Sequence, residues 1–225
     1  MFAAINQFLT ASENLPYAGS FDGSTQYLNV DSIGAIGTSD FTVESWIYTT
    51  TLAGERGPFQ ISDTAGGIKP SYASGISASL GGVGSIGFIA CNVLGTSISS
   101  SSAVIAINTW YHFAITRQSG SVRMFVNGVL VGGPTTVSGS IAAQNIVMGC
   151  YYSLSYLWNG YLSNFRLVNG TAVYTANFTP PAAPLTAITN TSLLTLQNAT
   201  IVDNSTNAFI ITNTGTVVMA KQEIW

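Results

Sequence analysis

The chain of 225 residues and 23.5 kDa carries 7 % charged residues, six Lys plus Arg against nine Asp plus Glu, for a net charge of −3. So few cations exclude nucleic-acid binding through a basic surface, which works by displacing phosphate counterions, and exclude a polybasic membrane anchor. Because 47 % of residues are hydrophobic and 11 % aromatic, disorder is excluded too.

Residues 1–20 hold no positive segment, and Asn6 and Gln7 interrupt the apolar run. No signal peptide is expected there. No run of about 18 apolar residues exists, so membrane insertion as a helix is not expected either. Phe2–Thr10 reads as one or two helical turns or as an extended arm.

Strand signals dominate from there on. Thr25–Val30 is short and rich in β-branched and aromatic residues. Phe41–Thr50 (FTVESWIYTT) alternates, and both of its faces hold apolar groups, as in a strand covered on both sides. Pro58–Ser62 and Ser85–Cys91 are further short runs separated by Gly and Ser, the residues of turns. Trp110–Gln118 and Ser121–Asn127 are two aromatic-rich strands joined through Ser119-Gly120. Asn127-Gly128 then marks a type I′ hairpin into Val129–Val131, so Trp110–Val131 reads as a three-stranded antiparallel meander. Asn145–Cys150, Tyr161–Val168, Leu193–Leu196, Ala208–Thr212 and Thr216–Met219 are the remaining runs. About 12–14 short strands with glycine-rich turns predict an all-β, two-sheet antiparallel sandwich.

Composition shifts at Pro180-Pro181-Ala182-Ala183-Pro184, where proline favours extended spacer over central strand. The expected organisation is an arm over residues 1–16, a sandwich over 17–180, and a spacer, one returning strand and a tail over 181–225.

Little in the chain supports catalysis or metal binding. Cys91 and Cys150 are either a disulfide or two buried thiols. Without a signal peptide the thiols are the expected form, and neither CxxC spacing nor a histidine cluster points to zinc. His112, between Tyr111 and Phe113, is the only histidine a triad could use, and it reads as a hydrogen-bonded structural residue. Glu44 has no second acid within six residues on its C-terminal side. It reads as a strand carboxylate bonded to Arg117 or Arg166. Gly81-Gly82-x-Gly84 lacks a βαβ context and reads as loop. Five Asn-x-Ser/Thr sequons between Asn169 and Thr206 read as chance matches in an Asn/Thr-rich segment.

Four blocks together resemble a known family. They are Ser20-Phe21-Asp22-Gly23-Ser24 with Tyr27-Leu28, Asp40–Ile47, Thr109–Arg117 leading to Phe125-Val126-Asn127-Gly128, and Asn159–Val168. Their order and spacing are similar to the concanavalin A-like, laminin-G-like jelly-roll domains, over roughly residues 17–180. The run Gly170–Pro181, with Leu193-Leu194-Thr195 and Val202–Ser205, resembles the laminin-G-like proteins of tailed phages.

The resemblance implies a jelly roll that binds rather than catalyses. The Glu-x-Asp-x-x-Glu acid pattern of glucanase relatives does not occur in this chain. It also raises calcium, because such domains often hold one Ca²⁺. Asp22 is the candidate ligand, with a turn residue as its other reading, and Ser163 and Asn164 are neutral where ion-binding relatives carry Asp. The phage likeness implies a virion structural protein made in the host cytoplasm, a capsid decoration or cement protein bound to neighbouring capsid subunits or another virion protein. The alternative is a host-facing adhesin for cell-surface polysaccharide.

Three features bear on partners. The low charge implies a surface held in an assembly, a homo-oligomer included, or else a compositional habit of the source. Phe2, Ile5, Phe8, Leu9, Ile224 and Trp225 are apolar where termini are normally polar. They are partner-binding candidates if the arms dock on a neighbour, and core if the arms fold back on their own sandwich. Tyr151, Tyr152, Tyr156 and Trp158 are glycan-binding candidates, because aromatic faces beside polar groups suit sugar CH surfaces; core or protein interface is the other reading.

Overall fold

The structure is a computed structural model that describes residues 15–62, 74–81, 86–152 and 155–225. Nineteen strands lie among them. In chain order they are β1 (Tyr17–Asp22), β2 (Tyr27–Val30), β3 (Ala35–Gly37), β4 (Phe41–Thr49), β5 (Arg56–Ser62), β6 (Ile76–Leu80), β7 (Ile89–Val93), β8 (Thr96–Ser99), β9 (Trp110–Gln118) and β10 (Ser121–Val126). There follow β11 (Val129–Thr136), β12 (Ile141–Ala143), β13 (Asn145–Met148), β14 (Cys150–Tyr151), β15 (Tyr156–Leu157), β16 (Asn159–Asn169), β17 (Thr191–Thr195), β18 (Ile211–Thr214) and β19 (Val218–Lys221).

Two large sheets form. The first runs β11-β10-β9-β4-β16-β1-β19, with β17 also on β16; the second runs β18-β2-β13-β5-β6-β7-β8. Every pairing among the described residues is antiparallel. This is the two-sheet jelly-roll sandwich expected from the sequence.

The core lies between the sheets because each strand alternates sides. Val43, Ile47, Phe113, Ile115 and Leu167 enter it from the first sheet, and Leu28, Phe59, Ile61, Ala78 and Ile146 from the second. Phe59 joins the layers, with its ring centroid 5.4 Å from Phe165 and 6.3 Å from Phe113. Both cysteines are buried, and burial pushes the pKa of the Cys91 thiol up to about 12.

The meander is β9-β10-β11. Its turns have positive φ at both central residues, Ser119 and Gly120 (48° and 77°), then Asn127 and Gly128 (48° and 74°). That is type I′ geometry, whose twist matches the flanking strands.

Both faces of β4 are buried because the chain after β16 crosses the outer face of the first sheet as a strap. Thr42 Oγ1 donates to Thr171 O (3.0 Å) and accepts from Val173 N (2.8 Å). Phe178 N donates to Gly128 O (2.9 Å), and a Cβ at Gly128 would stand 1.8 Å from that same Phe178 carbonyl oxygen.

The last forty residues return three strands, near the three runs read there from the sequence, where the domain outline had one: β17 onto β16, β18 onto β2 in the second sheet, and β19 onto β1 in the first. Leu193, Leu196 and Val217 join the core, so burial pulls this segment back after the proline run. Ile224 is buried, and the Trp225 ring lies 5.9 Å from Trp46 while staying 45 % exposed. Ile224 thus packs on its own sandwich, while Trp225 touches it and keeps an exposed face. Phe2, Ile5, Phe8 and Leu9 lie outside the described residues.

Candidate functional site

The second sheet presents a polar outer face. In β6, Ile76, Ala78 and Leu80 point into the core, so Ser77 and Ser79 point out; in β7, Ile89, Cys91 and Val93 point in, so Ala90 and Asn92 point out. In β8, Ile98 is buried while Ser97 and Ser99 are exposed. Register aligns these residues across strands. Gln60, Ser77, Asn92 and Ser97 form one row, and Ser79, Ala90 and Ser99 the next. A groove of about 330 Å³ lies over them.

Tyr151 of the β14–β15 hairpin lines one side of it. The chain leaves β13 at Gly149 (φ 80°), where a Cβ would stand 2.3 Å from the Phe21 ring. The hairpin then folds over β5: Tyr152 N donates to Gln60 Oε1 (2.9 Å), and Arg56 Nη1 donates to Leu157 O (2.9 Å). Gly57 permits this approach, since a Cβ there would be 1.8 Å from Tyr151 Cβ. The rings of Tyr151, Tyr152 and Tyr156 cluster with centroids 5.9–6.3 Å apart, Tyr151 lining the groove and Tyr152 37 % exposed.

Three of the four glycan candidates are thus brought together. Trp158 is the correction. It is fully buried in the core, its N–H donates to Gly149 O and its indole Nε1 to Tyr161 O. It holds the base of the hairpin and cannot meet a ligand. The serine and asparagine floor escaped sequence reading, because those serines look like turn punctuation. The alternation Ile76-Ser77-Ala78-Ser79-Leu80 is the signal that finds it.

The chemistry of the groove is neutral hydrogen bonding. Each serine hydroxyl both donates and accepts. Asn92 Oδ1 accepts from Gly95 N (2.9 Å), which leaves the Asn92 NH₂ as a donor. Glu55 is the one charged side chain among the described residues that line the groove.

The other singled-out residues lie elsewhere. Glu44 is fully buried on the outer face of the first sheet. Its Oε1 accepts from Arg166 Nε (2.8 Å) and Nη2 (2.6 Å), and its Oε2 from Tyr174 OH (2.8 Å), with His112 Nε2 at 3.0 Å. Burial alone would raise the Glu44 pKa, but the His112 hydrogen bond and the Arg166 charge outweigh it and hold the group below its ordinary value. Burial and the neighbouring Glu44 push the Tyr174 hydroxyl upward. Of the two arginines considered for Glu44, Arg166 is the partner. Arg117 instead donates to the carbonyls of Gly37, Ser39 and Gly139, with its guanidinium 5.0 Å from the centre of the Phe41 ring.

Asp22 does not fit a calcium ion. Its carboxylate accepts from the N–H groups of Ser24, Thr25 and Gln26 and from the Ser24 and Thr25 hydroxyls, at 2.7–3.1 Å. Slight burial raises its pKa, and these bonds hold it well below the usual carboxylate range. Five donors occupy the oxygens an ion would need, which is the turn role. No group of three or more His, Cys, Asp or Glu stands together among the described residues. Ser163 and Asn164 serve a β-bulge in β16, where Asn164 has φ 54° and its Oδ1 accepts from Leu185 N (2.6 Å).

The fold is shared with solved structures of low sequence identity. A Bacteroides ovatus ATCC 8483 protein, described as a candidate carbohydrate-binding protein, superposes with a TM-score of 0.68 and 17 % identity, over 92 % of this chain and 60 % of that one. This chain therefore spans 60 % of that protein's length. The heptameric SAP-like pentraxin of Limulus polyphemus gives 0.62 and 15 % identity, over 93 % and 96 % of the two chains. Domains LG4-5 of the mouse laminin α1 chain give 0.52 and 16 % identity, over 74 % and 47 %. No curated protein matches. A family model does match, over residues 22–173, and the chain belongs to that family, Laminin_G_3 of the concanavalin A-like lectin/glucanases superfamily.

Proposed function

We propose that this protein is a carbohydrate-binding module, and that it holds its glycan in the groove between the β6–β8 floor and the tyrosine hairpin without cleaving it. The observation that carries this reading is the aligned floor of Ser77, Ser79, Asn92, Ser97 and Ser99 with Tyr151 in the same lining, the Tyr151 ring being clustered with those of Tyr152 and Tyr156. Hydroxyl and amide groups match sugar hydroxyls, and tyrosine rings match the CH faces. The likeness to the B. ovatus protein supports it. Glycosidic hydrolysis takes two carboxylates roughly 5–10 Å apart, whereas the described lining supplies Glu55 alone. A glycan array identifies the ligand. Tyr152→Ala should then weaken binding about five- to tenfold, the worth of one aromatic contact of about 1–1.5 kcal/mol. Equal binding by the two proteins would remove the hairpin from the site.

The finer setting, a tailed-phage virion with this protein as capsid decoration or as a host-facing adhesin, is a second proposal. It rests on the residue likeness over Gly170–Ser205 and on the low charge. The adhesin form suits the groove better than the cement form, since a glycan site gives an adhesin its ligand. Extraction of purified particles at rising denaturant separates the two. A cement protein leaves together with particle stability, whereas an adhesin is released while the particles stay intact.

A further inference from the structure

Among the described residues that line the groove the one charged side chain is an acid, Glu55. Glu55 directly precedes β5, in the loop after β4. Gly81, with φ 74°, directly follows β6, and a Cβ there would lie 2.9 Å from Gly54 O and 3.9 Å from Glu55 Cα. The lack of that Cβ lets the Glu55 loop close the end of the floor. No cation stands among the described residues that line the groove. Arg117 and Arg166 are buried at the first sheet, Arg123 and Lys221 belong to its strands β10 and β19, and Arg56 donates to Leu157 O at the hairpin base. Lys69 lies outside the described residues.

We propose that the groove selects neutral glycans and rejects anionic ones, with Glu55 as the residue that sets this discrimination. The inference rests on the carbohydrate reading above. Its physical basis is that an acidic sugar would bring a carboxylate or sulfate beside a fixed carboxylate. The groove supplies hydroxyls and one amide but no described cation to offset the repulsion. Two unit charges about 4 Å apart in a water-like dielectric cost about a fivefold loss of affinity.

The test is affinity electrophoresis of the full chain in gels cast with lichenan, arabinoxylan, galactomannan or dextran. The best-retarding polymer is then compared with its carboxymethyl derivative and, as a neutral control of similar bulk, its hydroxyethyl derivative. The wild type should bind the carboxymethyl form at least about fivefold more weakly than the hydroxyethyl form. That ratio should shrink toward one in Glu55→Gln and also in high salt, which screens exposed charges. Equal or tighter binding of the carboxymethyl form by the wild type would overturn the selectivity and leave the carbohydrate reading standing. An unchanged ratio in Glu55→Gln would overturn the role of Glu55. Failure of all four neutral polymers to retard the protein would instead remove the carbohydrate reading, and this inference with it.

Discussion

Glu44 receives hydrogen bonds from Arg166, Tyr174 and His112 on three elements; Glu44, His112 and Arg166 are buried and Tyr174 is half-buried. Its pKa is held below the ordinary 4.5. The unfolded state therefore binds the proton first as pH falls, so the stability Glu44 supplies is fully present above 4.5 and is lost as pH drops through the folded value. Thermal denaturation of wild type and Glu44→Gln as a function of pH checks this. The variant should lose about 3–5 kcal/mol at neutral pH, the usual cost of stripping one partner from a buried ion pair, and the gap should narrow in acid. A constant gap would mean that the charge on Glu44 is not what stabilises. At this scale the sequence was partly legible. Glu44 stood out as a bonded strand carboxylate, and its choice between two arginines depended on the β16 bulge. Ser163 stands opposite Trp46 and Arg166 opposite Glu44, with Asn164 and Phe165 between them. A strand read without that extra residue puts Arg166 on the wrong face.

Hairpin β14–β15 and the strap over β4 are the two elements that shape the outer faces. The hairpin is two residues per strand, too short for alternation to reveal which aromatics face out. That is why Trp158 was grouped with three tyrosines whose environment it does not share. It docks because Gly57 leaves room, so Gly57→Ala should lift the hairpin from β5. The expected outcome is weaker glycan retardation and faster limited proteolysis within residues 150–157, with the far-UV circular dichroism of the sheets retained. Unchanged proteolysis and binding would show that the hairpin does not depend on that close approach. The meander was the most legible element, since Asn127-Gly128 and Ser119-Gly120 carry their turn type in their chemistry. Strands β6 and β8 were the least legible: serine and threonine on an outer face look like loop until their buried Ile, Ala and Leu neighbours are counted in period two.

As a whole, the molecule is a sandwich whose C-terminal strands extend both sheets, β18 beside β2 and β19 beside β1. The all-β class and the family were readable from block order and spacing. The fate of the C-terminal residues was not, because a proline run followed by scattered apolar residues gives no local sign of which sheet receives them. The same architecture leaves one outer face, that of the second sheet, carrying a hydroxyl-lined groove with Glu55 at one end and Tyr151 in its lining. The central claim is that this groove binds carbohydrate. Its most direct test is the dissociation constant of wild type and Tyr152→Ala for a neutral polysaccharide, measured by affinity electrophoresis with melting temperatures recorded alongside. The account predicts retardation of the wild type by at least one neutral polymer, and a variant of equal melting temperature that binds about five- to tenfold more weakly. A wild type that migrates unretarded in every gel, or a variant retarded as strongly as the wild type, would contradict it.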